Sequence, residues 1–237
     1  MTHDPDPWLG AVALPGLAID HIGIVVSSCG PAVALLRDHG FQVSEPEPLM
    51  GPDGSLGQTS AHCVFANGYI EISAPDPGSA NHLRPLLARG EGMRILVLRS
   101  GNAASDHARL LEQGLVLGPV REARRAVHLP QGIATARFQW FPIADRLPGV
   151  LIAMVEHRDA DVVFAPSLRV HPNRAHTMHD VLLAPAAAAL ASLATTAGAA
   201  AQALVGRGPT APIHGVTVTC VPGLQLDHPA FAVRGIA

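Results

Sequence analysis

One pattern constrains this chain more than any other: the order strand, helix, strand, strand, strand runs through residues 17–77 and recurs over 92–160. The first pass opens on Leu17-Ala18-Ile19-Asp20-His21-Ile22-Gly23-Ile24-Val25-Val26, a β-branched run of strand character. Ser28 can cap a helix with Pro31 in its first turn, Ala32–His39 fills it, and Gly40 stops it. Phe41-Gln42-Val43 begins the next strand, and a Pro/Gly-rich loop over 45–57 leads to a strand at Gln58–Phe65. Asn67-Gly68 marks a tight turn into the return strand Tyr69–Ser73. In the second pass Met93–Arg99 is a strand, Ser105 caps a helix that runs to Gln113 and stops at Gly114, and Leu115–Leu117 opens a strand. Ile133–Phe141 and Val150–Val155 supply two more. LLRDHGFQV from Leu35 aligns with LLEQGLVLG from Leu110, so the stop glycines Gly40 and Gly114 lie 74 positions apart and the strand-end serines Ser27 and Ser100 lie 73 apart. Self-similarity at one period points to two copies of one unit.

The expected fold class is therefore α+β, with two βαβββ modules forming a curved mixed sheet around a cup. Residues 1–16 read as an N-terminal arm, 17–170 as the paired domain, and 171–237 as a C-terminal βα extension packed on it, a partial third module. In that extension Thr177–Leu183 reads as a strand, 186–205 as an Ala-rich helix between Pro185 and Gly206, and His214–Val221 and Ala230–Val233 as strands.

Composition excludes several classes. With 48% hydrophobic and 15% charged residues in 237, disorder is not expected. A net charge of −3 leaves no electrostatic footprint for nucleic acid. All 16 basic residues are arginine, so no Schiff-base lysine exists. Cys29, Cys63 and Cys220 are odd in number and far apart, which fits a reducing cytosol and not a disulfide framework. The first ten residues carry neither a basic n-region nor an apolar h-region, so no signal peptide is expected and the expected location is the cytoplasm. The uncharged stretch Val181–Gly206 is mainly small residues, weak as a membrane span, and reads as a soluble helix. Neither a GxSxG elbow, a P-loop nor a GxGxxG after a strand is present, which removes weight from hydrolase triads and nucleotide binding.

Taking Asn67-Gly68 as a two-residue turn pairs Phe65 with Ile70 and Val64 with Glu71, and sets His62 opposite Ser73. Strand side chains alternate in face. Glu71, Ser73, His62 and Val64 then share one face, and Ile70, Ile72, Cys63 and Phe65 the other. The apolar face should meet the helices, which leaves the first as the cup interior. A carboxylate and an imidazole there must be paired, coordinated or hydrated, since a bare buried charge is costly.

IDHIGIVV, a helix ending HGF, and NGYIEIS together resemble the first module of glyoxalase-like proteins, the vicinal oxygen chelate superfamily. HPNRA at His171–Ala175 resembles the HPNGA of one glyoxalase-like branch, with Arg174 where that branch has Gly. The resemblance covers roughly residues 17–183. It implies a divalent metal (Mn, Fe, Ni, Co or Zn) in a cup between the modules, held by side chains from the first and last strands of each. By position His21 and Glu71 match first-module ligands, and His157 or Glu156, at the end of Val155-Glu156-His157, is the candidate third. The second-module counterpart of His21 is Arg94, which cannot ligate a metal.

Each candidate has a plainer reading beside the functional one. His21 is a ligand, or a core histidine bonded to Glu71 or to backbone. Glu71 is a metal ligand or catalytic base, or the salt-bridge partner of Arg94. Arg94 is an anchor for an anionic substrate, or that structural partner. His62, Trp140 and His171 are candidate substrate contacts; Trp140 and Phe138 share a strand face and either wall a pocket or fill core. His157, His171, His176 and His179 crowd one stretch, but His176 and His179, three apart on a strand, face opposite ways.

The first functional expectation is an enzyme of lyase or isomerase type, less readily a dioxygenase, whose metal polarises vicinal oxygens of a small oxygenated metabolite. Glu71 is the proton-shuttling base of a metal-free version. The alternative is a metal-free binding protein of the same fold, similar to drug-sequestering resistance proteins, and a structural or regulatory partner role ranks last. The resemblance makes a homodimer the default assembly.

Overall fold

The computed structural model describes residues 11–13, 19–144, 149–183, 202–205, 213–219, 225–228 and 231–236. A short strand, β1 (Ala11–Ala13), precedes β2 (Ile19–Val25), whose β-branched residues are almost all buried. Helix α1 (Cys29–Asp38) follows, then β3 (Glu47–Gly51), β4 (Gly54–Val64) and β5 (Tyr69–Pro75). After the short α2 (Arg84–Leu87) come β6 (Gly92–Arg99), α3 (Ala103–Glu112), β7 (Arg121–Leu129), β8 (Gly132–Ile143) and β9 (Leu151–His157). Gly40 (φ 77°) and Gly114 (φ 80°) both leave their helices through the left-handed region that glycine enters freely, as the aligned stop signals require.

Eight of these strands close a ring in the order β6-β2-β5-β4-β3-β7-β8-β9, with β9 pairing back to β6. The pairings β2–β5 and β6–β9 are parallel and the rest of the ring is antiparallel. The result is a mixed α+β fold with a closed, curved sheet and few helices. Outside the ring, Ile22, Ile24, Cys63, Phe65, Ile70 and Ile72 pack with Ala32, Val33 and Leu36 of α1 in one apolar cluster. Leu36 is fully buried, and truncating it to alanine would cost about 2–5 kcal/mol in lost burial and residual cavity. Inside the ring the inward residues of β2 and β5 include His21 and Glu71. Gly23 pairs with Glu71 on one side and Ile95 on the other, and a Cβ there would sit 2.6 Å from Ile95 Cβ. Only glycine lets β2 and β6 approach so closely.

The C-terminal strands β10 (Thr177–Leu183), β11 (Gln202–Val205), β12 (Ile213–Thr219), β13 (Gln225–His228) and β14 (Phe231–Ile236) extend the sheet beyond the ring. They join it where β12 meets β6 at Ile213–Met93. Asn67 strengthens the junction: its Oδ1 accepts from Met178 N at 2.9 Å and its Nδ2 donates to Met178 O at 2.6 Å, like a strand neighbour. Among the described residues no helix is long and apolar enough to cross a membrane.

Several expectations are corrected. Phe41-Gln42-Val43 forms no strand, while the expected loop over 45–57 holds β3 and the start of β4. Pro48 and Gly51 disguised β3, yet β3 pairs with β7 only at Met50–Arg124, and a strand so nearly an edge tolerates proline. Phe65 N donates to Gly68 O, so the turn lies at Ala66-Asn67, one position earlier than expected, the register slips by two, and His62, not Val64, lies opposite Glu71. A slip of two preserves the faces. Leu115–Leu117 contributes one bridge, Leu117–Ile143, and the strand in its place is the arginine-rich β7. Asn102, not Ser105, caps α3: its side chain accepts from Ser105 N at 2.9 Å. Residues 202–205 of the expected Ala-rich helix are strand, while 186–201 lie outside the described residues, as does most of the expected arm.

Candidate functional site

The ring encloses a cavity of about 60 Å³ whose wall is chemically divided. From β2, β4 and β5 come His21, Gln58, His62, Tyr69 and Glu71; from β6 and β9 come Ile95, Val97, Leu151, Ala153 and Val155. The strands β7 and β8 add Arg125, Phe138 and Trp140. Leu49 of β3 and His82, which packs on Trp140, complete the lining, so the β6–β9 side is hydrocarbon and the rest is mixed.

The polar side rests on an irregularity in β2. Ile19 pairs with Leu98 and His21 with Val97, so β2 carries one extra residue at Asp20. Such a bulge breaks the alternation of faces and can re-aim a side chain. Here it lets neighbours on one strand meet: His21 Nδ1 and Asp20 Oδ1 are 2.8 Å apart. Asp20, with no exposed surface, also bonds His157 Nε2 at 2.9 Å and accepts from Arg99 Nε at 2.8 Å. Burial acts to raise the Asp20 carboxyl, but hydrogen bonds from His157 and His21 and their electrostatic pull hold it well below the usual carboxylate range. Asp20 is an ionised pillar beneath both imidazoles.

His21 turns its other nitrogen to the cavity, with Nε2 3.6 Å from Glu71 Oε2. Its ring stacks on Tyr69, the only tyrosine of the chain, at 4.2 Å between centroids. His62 meets the same tyrosine edge-on at 5.4 Å. Burial raises the Tyr69 hydroxyl well above its ordinary value, helped by the negative Asp20 and Glu71. Burial also drives His62 well below its ordinary value, helped by the positive charge of Arg125. Both groups are therefore neutral at pH 7.

Sequence reasoning missed Arg125. It is the inward residue between Ala123 and Val127 on β7, a strand whose buried positions alternate with exposed ones. Only 7% exposed, it has an Nη2 with no hydrogen-bond partner among the described residues. Trp140 Nε1 is likewise buried without a partner. The signal was present as period-two alternation of Ala123, Arg125 and Val127, masked by the outward charges Glu122 and Arg124.

Of the sequence candidates, His21, Glu71, His62 and Trp140 line one cavity. Arg94 does not: its Nε donates to Gly90 O at 2.6 Å and its Nη2 to Arg89 O at 2.7 Å, so it neither pairs with Glu71 nor reaches the cup. Gly23 pairs with Ile95 and Ile24 with Met93, so Arg94 is an extra residue of β6, and the alternation that sends Ile95 and Val97 inward breaks there. His171 is also elsewhere. Its Nδ1 accepts from Gln42 N at 2.9 Å and its Nε2 donates to Val64 O at 2.8 Å, which clasps the HPNRA segment to the ring. Burial lowers its pKa. The expected metal triad is not assembled. His157 spends Nε2 on Asp20, and its Nδ1 is buried without a partner among the described residues. Among the described residues no three His, Cys, Asp or Glu side chains are placed to hold a metal ion. The inward positions of β6 and β9 that would complete the set are carbon only, so the donors present do not fit a three-ligand divalent site. Of the four crowded histidines, His176 contacts Thr177 Oγ1 and shares no site with His157 or His171; the His179 side chain lies outside the described residues.

Comparison with known proteins places this geometry in a family. A glyoxalase-like domain matches residues 19–198. No curated protein matches. A hypothetical protein from Staphylococcus aureus has the same fold, with a TM-score of 0.67 at 9% identity over 93% of this chain and 99% of that one. A hypothetical protein from Bacillus halodurans gives 0.45 at 20% identity, over 60% of this chain and 96% of that one. Methylmalonyl-CoA epimerase from Mycobacterium tuberculosis gives 0.42 at 25% identity, over 63% and 93%. With the closed mixed sheet and a family match across most of its length, the chain belongs to the glyoxalase-like domain family.

Proposed function

We propose that the protein is an isomerase-type enzyme that moves a proton on a small oxygenated metabolite, with Glu71 as the base. One observation carries the reading. Glu71 is a nearly buried carboxylate on the cavity wall whose nearest titratable neighbour among the described residues, His21 Nε2, stands at 3.6 Å, beyond a good hydrogen bond. A base in that state is free to reach a substrate C–H. His21, fixed through Nδ1 by Asp20, offers the abstracted proton a second resting place and can return it. Neutral Tyr69 packs against both imidazoles and holds the distance between them. The apolar wall keeps water from the carbanionic state. The reading treats the eight-stranded ring as two βαβββ modules meeting at β2–β6 and β3–β7, with residues 171–237 as an extension. Because no three donor side chains among the described residues are placed to hold an ion, no step is assigned to a metal.

A second reading, sequestration without turnover, draws support from the hydrocarbon wall of Ile95, Val97, Leu151, Ala153 and Val155. Exchange of substrate C–H protons in D2O, followed by NMR on chelator-dialysed protein, separates the two. Catalysed exchange that is lost in Glu71→Gln supports the enzyme. Binding without exchange supports sequestration.

A further inference from the structure

We infer that Arg125 is a carboxylate anchor, and that the cup takes short-chain monocarboxylates whose tail lies on the wall of Ile95, Val97, Leu151 and Ala153. This deepens the proposed function and rests on the reading of the cup as a substrate site.

Arg125 stands with 7% exposure and an unpartnered Nη2, and no carboxylate forms an ion pair with it among the described residues. It lines the cup and also an adjoining cavity of about 100 Å³ shared with His62 and Val127. A guanidinium cannot shed its proton at ordinary pH, and a buried charge without a partner is costly. A fold keeps such a group where something anionic arrives to pair with it. The planar fork matches a carboxylate through two parallel bonds. Burial lowers the Arg125 pKa, and Tyr69 and Glu71, both close to it, act against that fall.

The rest of the ligand follows from the opposite wall. Five inward side chains of β6 and β9 carry no polar atom, so the remainder of the molecule is hydrocarbon. The cavity of about 60 Å³ admits on the order of four waters, which limits the tail to a few carbons. Trp140 Nε1, the second unpartnered donor on the cup, can serve an oxygen near the carboxylate, such as a 2-oxo group. A multiply charged ligand would leave charges facing carbon.

The test is calorimetry on the full chain, dialysed against chelator, with 2-oxopentanoate, with 2-pentanone as the uncharged ketone, and with inorganic phosphate. Wild type should bind 2-oxopentanoate about 100-fold more tightly than 2-pentanone, since losing a desolvated charge partner costs affinity on that scale. Arg125→Met should bring the carboxylate down to the ketone's affinity. Its melting temperature should hold or rise, because a buried unpaired charge gives way to hydrocarbon. Arg125→Lys should fall between, keeping the charge and losing the fork. Equal affinity for carboxylate and ketone, phosphate binding as tightly as the carboxylate, no binding at all, or wild-type affinity in Arg125→Met would each overturn the anchor. A lowered melting temperature in Arg125→Met would do the same, since it would show a structural partner. Glu71→Gln should still bind the carboxylate. If wild type binds as expected and never exchanges substrate protons, the enzyme reading fails and the anchor stands.

Discussion

His157 Nε2 bonds Asp20 Oδ1 at 2.9 Å, and that contact turns an expected metal ligand into part of a buried electrostatic pillar. Asp20 serves His21 at 2.8 Å with the same oxygen. The carboxylate therefore fixes both rings and the strand bulge that bears it.

Asp20→Asn should destabilise the protein by ~3–5 kcal/mol at pH 7, as removal of one partner from a buried ion pair does. The Asp20 carboxyl is depressed in the folded state, so its contribution is present above the unfolded value of about 4 and is lost as pH falls below it. Urea melts at pH 7, 4 and 3 should show wild type losing stability over that interval and Asp20→Asn losing less. Parallel losses would contradict the assignment.

The neutral histidines work over a different interval. His62 and His171 both have folded pKa values below the ordinary one, so the unfolded chain takes up these protons first. Their contribution is complete above about pH 6.5 and shrinks as pH falls below it. His171→Ala should cost ~2–4 kcal/mol, since it leaves Gln42 N and Val64 O without partners, and should flatten stability against pH between about 6.5 and 5. Proton exchange on substrate should be unaffected per folded molecule.

Arg94→Met separates the arginine expected from the sequence from the one found in the cup. It removes bonds to the carbonyls of Gly90 and Arg89 and should lower stability by ~1–2 kcal/mol. Ligand affinity should stay within about twofold, because Arg94 does not line the cavity.

How much of this was legible follows from which residues carried period-two contrast. Ile22 and Ile24 against His21, and Ile70 and Ile72 against Glu71, announced their faces, and the cup's polar side was readable even though the hairpin register was two residues off. The bulge at Asp20 was not readable, because nothing in IDHIG separates a bulged strand from a regular one. β3 was hidden by Pro48 and Gly51, and β7 by outward charges that made REARRAVHL look solvated. With β7 unseen, Arg125 had no strand to stand on, and anion binding was assigned to Arg94, which sits at an irregularity of β6 and bonds the carbonyls of Gly90 and Arg89 instead.

The central claim is that Glu71 moves a substrate proton within a cup that needs no metal for the step. The most direct measurement is NMR of 2-oxopentanoate C3 protons exchanging in D2O with chelator-dialysed wild type and Glu71→Gln. Wild type should catalyse exchange, and Glu71→Gln should slow it by about 10²–10⁴-fold while still binding the ligand. Exchange that is unchanged in Glu71→Gln, or that appears only when a divalent metal is added, would contradict the account.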